Sequence, residues 1–496
     1  MPDVSTRVFA LALTLVSCII PGTVGQCQLA RITGTDAADD LVGFTVGAGS
    51  SALVIGAPFD DEHGRNSGAV YIADRSVPDS ARVLRLTLAD GETGDGFGRA
   101  VATSAFRILA TITRRQQAIV YERNPGGLWV GVGRLDDPEA GENDFFGCSV
   151  ALHASVAVVG APHDTIAGDR TGSAYVFERD SNGMWSRATK LRASDAFGAD
   201  AFGQSVAVSG DVIVVGAPDD DPFGFSSGSA YVFERHANGV WTQAAKLIPA
   251  DGGGLHIFGW SVAVGRSCVL VGAPNADGRE RETGAVYVFE KDSSGAWSQR
   301  AKLMASDGSL GDSFGASVAV DDDNAVIGSV GVEPGSAGAG YVFSRVSDGP
   351  WTETAKLRPV DVGRDDQFGW SAGISGNLAV FGAPRHDVQI DGDILADAGA
   401  AYLFAVGPDR DENGAMDVCE CRAAVGGDPG SDGSDGFVAS PDLDLDKRVG
   451  LGDLVILLNH FGDTGVLHEA GDLDLDRDVD LQDLALLLAA YDKPCE

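Results

Sequence analysis

From Phe202 to Leu247 the chain reads FGQSVAVSGDVIVVGAPDDDPFGFSSGSAYVFERHANGVWTQAAKL. Its apolar residues fall in four short bursts, at 204–209, 212–217, 229–235 and 240–247, divided by Gly, Asp, Asn and Ser. Bursts of this length, alternating or continuously apolar and bounded by turn residues, predict four β-strands. The unit then repeats. Its opening Phe-Gly pair returns at Phe97-Gly98, Phe146-Gly147, Phe258-Gly259, Phe314-Gly315 and Phe368-Gly369, and a variant Val42-Gly43 precedes them, so seven starts lie 49 to 56 residues apart. Four strands per repeat at this period predict a mainly β chain forming a seven-bladed β-propeller of four-stranded blades.

Two further positions recur. The second burst ends in Gly-Ala-Pro at Gly56, Gly160, Gly216, Gly272 and Gly382, where Pro stops the ladder and small residues let a neighbouring backbone approach. Trp129, Trp185, Trp241, Trp297 and Trp351 stand at matching points of the fourth strand, where a large ring fills the gap between splayed outer strands. The pattern resembles the FG-GAP repeats of propellers of the integrin alpha-subunit type, over about residues 28 to 406.

The two ends of the repeat region complement each other. Gln28 to Ile32 match the tail of a unit, like Ala245-Lys246-Leu247, whereas the last unit stops after its third strand at Ala401 to Val406. The N-terminal segment is therefore expected to close the last blade as its outermost strand, which removes an exposed edge. The second unit lacks Gly-Ala-Pro, reading Arg107-Ile108-Leu109-Ala110-Thr111 there, and the sixth has Gly328-Ser329-Val330. Such departures mark either a face specialised for a partner or drift in a tolerant loop. Integrin-type blades often carry a calcium loop after the second strand; only Asp219-Asp220-Asp221 and Asp60-Asp61-Glu62 come near, without the alternation it needs.

Charge narrows the partners. With 36 basic and 72 acidic side chains the net charge is −36, which disfavours nucleic acid and anionic membrane and suits solubility and divalent cations. Val8 to Ile20 form an apolar run short for a bilayer span, and Pro21 to Gly25 supply a turn and small residues, so residues 1–25 read as a signal peptide of a secreted or cell-surface protein. Leu15-Val16-Ser17-Cys18 also fits a lipoprotein signal, which would anchor the chain at Cys18. No transmembrane segment is expected elsewhere. Cys148 and Cys268 sit inside strand patterns and read as buried thiols, while export makes a disulfide from Cys27 to Cys419 or Cys421 plausible, with Cys495 held by the other or left free.

The catalytic signals are sparse. Gly369-Trp370-Ser371-Ala372-Gly373 fits the G-x-S-x-G nucleophile elbow, but the same register in the fifth unit reads Gly259-Trp260-Ser261-Val262-Ala263, so the serine belongs to the repeat. The eight His show no paired metal spacing.

Chemistry concentrates beyond the repeats. A linker rich in Gly, Asp and Ser spans 407–441, and within it Asp409, Asp411, Asn413, Asp417 and Glu420 satisfy D-x-[DN]-x-[DN]-G-x5-E, an EF-hand-like loop at 409–420 or else a turn-rich exit from the propeller. In 442–496, Asp442, Asp444, Asp446 and Asp453 occupy positions 1, 3, 5 and 12 of one loop, and Asp472, Asp474, Asp476, Asp480 and Asp483 occupy positions 1, 3, 5, 9 and 12 of a second, 30 residues on. Alternate carboxylates of a tight loop converge on a hard cation, Ca2+, with Arg448 and Asp478 offering backbone oxygens. Each loop runs into an apolar helical segment. The pair resembles a dockerin module, which implies a small α-helical calcium-loop domain and a cohesin-like protein partner. Lys447 and Arg477 replace the usual Gly at position 6, and Leu451-Gly452 and Leu481-Gln482 differ from the residues with which dockerins read cohesins, which implies another partner or a module kept as a structural terminus.

These features together predict an exported, non-catalytic binding or adhesion propeller at 26–406, taking a protein or glycan ligand on its loops and attached to an extracellular assembly by calcium-dependent docking. The alternative is a secreted polysaccharide-degrading enzyme, a glycoside hydrolase or lyase, or an accessory subunit of one.

Overall fold

The computed structural model describes residues 4–8, 27–34, 38–75, 83–137, 141, 143–165, 169–331, 336–346, 349–390 and 393–406. Each predicted unit is one antiparallel sheet. In blade 4 the strands are Ser205–Ser209, Val212–Ala217, Ser229–Arg235 and Trp241–Leu247, paired in chain order with Val206 opposite Val215 and Val214 opposite Val232. The second strand and residues Ala230–Phe233 of the third are apolar because neighbouring blades cover both their faces. One buried cluster accordingly joins Ala174 and Val176 of blade 3 to Phe202, Ile213 and Tyr231 of blade 4. The core lies between blades, not within them.

The ring closes as expected. Blade 7 consists of Ser371–Ser375, Leu378–Ala383 and Ala400–Ala405, completed at its outer edge by Cys27–Thr33 from the other end of the chain. Val4–Val8, within the segment read as a leader, pairs antiparallel with Val83–Leu88 as a fifth strand on blade 1. The remainder of that leader and the expected helical calcium domain lie outside the described residues.

What makes the units repeat is the contact between successive blades. At Gly56, Gly160, Gly216, Gly272, Gly328 and Gly382 a Cβ would collide with the carbonyl oxygen of the Phe-Gly glycine in the next blade, namely Gly98, Gly203, Gly259, Gly315, Gly369 and Gly43. Gly328 belongs to the set although its unit lacks Gly-Ala-Pro. The same carbonyls accept a hydroxyl from the preceding blade: Ser149, Ser205, Ser261, Ser317 and Ser371 donate at 2.7–2.8 Å and Thr45 at 3.3 Å. At these six junctions the amide before the glycine, Phe in five and Val42 in one, donates to the blade before it, as in Phe202 N to Thr171 O at 3.0 Å and Phe258 N to Ser227 O at 3.1 Å. Three contacts thus fix one junction, and the ring itself is buried: Phe202 is fully covered and meets Tyr231 of its own blade at 5.4 Å.

The turn that delivers each Phe is strained. The residue before it has φ between 48° and 60° in all seven units, although it is Leu41, Gly96, Phe145, Ala201, Ile257, Ser313 and Gln367. A left-handed backbone costs about 1–2 kcal/mol at a non-Gly residue. A carboxylate one residue earlier braces most of these turns: Asp95, Asp144, Asp200, Asp312 and Asp366 each accept a backbone N–H three residues back, Asp200 from Phe197 at 2.9 Å. Burial, and then the nearby Asp220, pushes the Asp200 carboxyl up to about 6.

The tryptophans do more than fill space. Trp241 Nε1 donates to Glu178 of the preceding blade at 3.0 Å, and Trp297 Nε1 to Glu234 at 2.9 Å, while Arg235 and Lys291 pair with the same carboxylates. One junction departs from the rule. Between blades 2 and 3, Thr111 stands at the glycine position against Gly147, and its hydroxyl serves Ala100 of its own blade. No Phe-to-glycine bridge is found at this junction among the described residues.

Two outcomes follow from these contacts. Gly216→Ala should lower the midpoint of urea unfolding by the equivalent of about 1–3 kcal/mol, the usual cost of overpacking a closed core; an unchanged midpoint would contradict the seam. Asp200 has a folded-state pKa above its unfolded value of about 3.9, so its charged form costs stability that is absent below pH 4 and fully present above about 6. Asp200→Asn should therefore melt higher than the parent at pH 7.5, with the advantage vanishing at pH 4; a difference independent of pH would contradict it.

Candidate functional site

The residue just after each fixed glycine is Phe44, Arg99, Cys148, Gln204, Trp260, Ala316 and Trp370. The backbone there is already committed: Phe44 N donates to Leu41 O, Arg99 N to Gly96 O, Trp260 N to Ile257 O and Trp370 N to Gln367 O. The turn therefore sets one side chain per blade around the inner mouth of the ring, on the face that carries the loops between second and third strands. Neighbours touch. The rings of Trp370 and Phe44 lie 5.8 Å apart, and the Arg99 guanidinium sits 5.1 Å from the Phe44 centroid, within cation–π range. Phe59, from the second-to-third loop of blade 1, meets Phe44 edge-on at 6.3 Å. Next to Arg99 is Cys148, half-buried, whose thiol pKa is raised by burial and drawn back by that guanidinium.

A second feature lies on the same face at the irregular junction. Blade 2 links its second and third strands by residues 113–116 alone, and beside it a cleft of about 460 Å³ is lined by Asn143, Asp144, Phe145, His163, Thr165 and Arg170. Phe145 and His163 stack edge-on at 4.6 Å. Burial, then Arg170, lowers the His163 pKa, and burial raises that of Asp144, so the pair is held less charged than usual.

The elbow-like serine is engaged in the seam. Ser371 Oγ donates to Gly43 O at 2.8 Å, the bond its counterparts make at five other junctions. Of the two strand cysteines, Cys268 is buried as expected, its thiol pushed up to about 11 by burial; Cys148 is not, because the position after the glycine faces the mouth. The near-calcium loops of the blades hold protein cations. Asp60 is paired with Arg85 and accepts from Tyr71, and Asp220 takes Lys246 Nζ at 2.6 Å and Tyr231 Oη at 3.0 Å. Asp61 and Asp221 accept backbone N–H groups of Asn66 and Ser226 at 2.6 Å. Among the described residues no group of three His, Cys, Asp or Glu could hold a metal.

The sequence-derived metal ligands, Asp409 to Glu420 in the linker and Asp442 to Asp483 in the paired loops, lie outside the described residues, as do the expected cysteine pairings with Cys419, Cys421 and Cys495. Sequence reading missed Phe44, Arg99 and Trp370 as a group. The signal was present as variability: between a glycine and a hydroxyl residue that barely change, this position takes seven residues of six types.

Among solved structures the chain is similar to the crystal structure of Saccharomyces cerevisiae Sqt1, at 11% identity and a TM-score of 0.41, covering 77% of this chain and 99% of that one. Comparison with curated proteins gives no match. No helix among the described residues is long and apolar enough to cross a membrane. The FG-GAP repeat family matches residues 27–73, 129–177, 185–233, 241–289, 297–343 and 351–404. Its unit runs from the outer strand of one blade through three strands of the next, so that the first match begins with the strand that closes blade 7; the gap between the first two matches contains most of the aberrant second unit. Spanning more than half of the chain, these matches place the protein in the FG-GAP repeat family.

Proposed function

We propose that this is an exported, non-catalytic binding protein that holds a ligand at the mouth of its propeller and is anchored to an extracellular assembly by its C-terminal calcium loops. The observation that carries the binding reading is the Trp370–Phe44–Arg99 arc. Packing between blades fixes the residues on either side of this position and demands nothing of the position itself, yet three adjacent blades place two large aromatic faces and a cation there. Rigid aromatic and Arg side chains are the residue types that dominate binding energy at interfaces. The engagement of Ser371 in the seam supports binding over acyl transfer, because a hydroxyl that bridges two blades cannot also sit free at a reaction centre.

The docking half of the reading rests on the duplicated carboxylate spacing. Four carboxylates at side-chain ligand positions of the first loop and five at those of the second repel one another unless a cation neutralises them, so calcium should order this segment.

Calorimetry on the full chain should register calcium binding abolished by chelator, and Asp472→Ala or Asp483→Ala should remove the contribution of the second loop alone; absence of any calcium heat would contradict the docking reading. A screen of the full chain against extracellular glycans and proteins should yield binding that Trp370→Ala weakens at least tenfold and Ser371→Ala leaves intact. Stoichiometric fluorophosphonate labelling at Ser371 would contradict the non-catalytic assignment.

A further inference from the structure

We infer that the ligand taken at the mouth is a carbohydrate bearing a single carboxylate on a pyranose ring, a uronic acid within an otherwise neutral oligosaccharide, with Arg99 binding the carboxylate and Phe44 and Trp370 stacking on the sugar. This rests on the binding reading above and specifies its ligand. The first observation is electrostatic. The chain carries twice as many acids as bases, and three strand or turn arginines of blades 1 and 2 are satisfied by carboxylates: Arg85 by Asp60, Arg107 by Glu122, Arg115 by Asp90 and Asp95. Arg99 has no acidic partner among the described residues; it lies over an aromatic ring instead, half-buried, in a ring of seven mouth residues with no other charged member. A guanidinium held over a phenyl face by its cationic carbon still has N–H donors to offer a bidentate acceptor, and a carboxylate matches that fork.

The second observation concerns shape. The rings of Trp370 and Phe44 adjoin at 5.8 Å, inclined by 49°, and Trp260, 39% exposed, holds the same position two blades before Trp370 with the short Ala316 between, so the mouth offers several aromatic planes. The C–H face of a pyranose lies flat on such planes. The third observation separates sugar from peptide. A peptide added as a strand is gripped through free main-chain donors and acceptors, but at the mouth the amides of Gly43, Phe44, Arg99, Gly259, Trp260, Gly369 and Trp370 are all spent on the turn or on their own blade, which disfavours that mode. Recognition must come from side chains. Finally, a net charge of −36 opposes a polyanion, so the favoured ligand has one carboxylate and not a run of them.

The test uses the full chain with glucuronosyl-xylobiose, its methyl ester, the neutral xylotriose, and a tripeptide with a free or amidated C-terminus, followed by calorimetry and tryptophan fluorescence. The acidic trisaccharide should bind, with quenching of the indole signal; the ester and xylotriose should bind at least tenfold more weakly; Arg99→Met should erase that difference while Arg99→Lys retains part of it. Thermal unfolding of each variant separates lost binding from lost folding, and the ester comparison on the parent protein needs no variant. Equal affinity for acid and ester would overturn the assignment to Arg99 while leaving the mouth as a binding site. Tighter binding of the free-carboxylate tripeptide, or no binding of the acidic sugar, would overturn the carbohydrate assignment. Binding of the acidic sugar unaffected by Arg99→Met and Trp370→Ala would place the site elsewhere and contradict the mouth reading itself.

Discussion

The structure depends on a backbone-to-backbone approach that only glycine permits. At six junctions the carbonyl of a Phe-Gly glycine packs directly on the second-strand glycine of the blade before it, where a Cβ would collide, and receives a hydroxyl from the same preceding blade. At those junctions this contact sets the spacing between sheets, and with it the burial of Phe97, Phe202, Phe258, Phe314 and Phe368, each packed on a Tyr of its own blade, and a core shared by neighbours. The junction also holds the left-handed residue before each Phe in place. That the residue can be Ile257 or Gln367 shows the bonds around the turn outweighing local preference.

The same rigidity explains where variation is allowed. One residue beyond the fixed glycine the main chain is satisfied and the side chain projects into the mouth, so any side chain that fits the opening is compatible with the fold. Positions with this freedom on a stiff scaffold are where binding chemistry accumulates. The irregular blade 2 has a parallel effect. Among the described residues its junction with blade 3 has neither the glycine contact nor the Phe amide bond of the others, and the cleft around His163 and Phe145 is formed by loops of blade 3 on this side.

Most of the architecture was legible in the sequence because it is dictated by periodic features: the Phe-Gly starts, the apolar runs of the inner strands, and the complementary fragments at 28–32 and 401–406 that close blade 7. The assignment of Ser371 to the repeat followed from register and is explained by its bond to Gly43. The arc at the mouth was not legible in the same way. Phe44, Arg99 and Trp370 are distant in sequence and meet only because ring closure sets blade 7 beside blade 1. Nor could spacing reveal that Asp60 and Asp220 would be neutralised by Arg85 and Lys246, since those cations arrive from the outer strand of the same blade.

The central claim is that the seam carries the fold and leaves the mouth free for ligand. It is tested most directly by thermal unfolding of a variant in which Phe44, Arg99, Cys148, Gln204, Trp260 and Trp370 are all replaced by Ala, measured beside the single Gly216→Ala seam variant. The account predicts that the six-fold mouth variant unfolds cooperatively and at a higher temperature than the seam variant. A mouth variant that loses its cooperative transition, or melts below the seam variant, would contradict it.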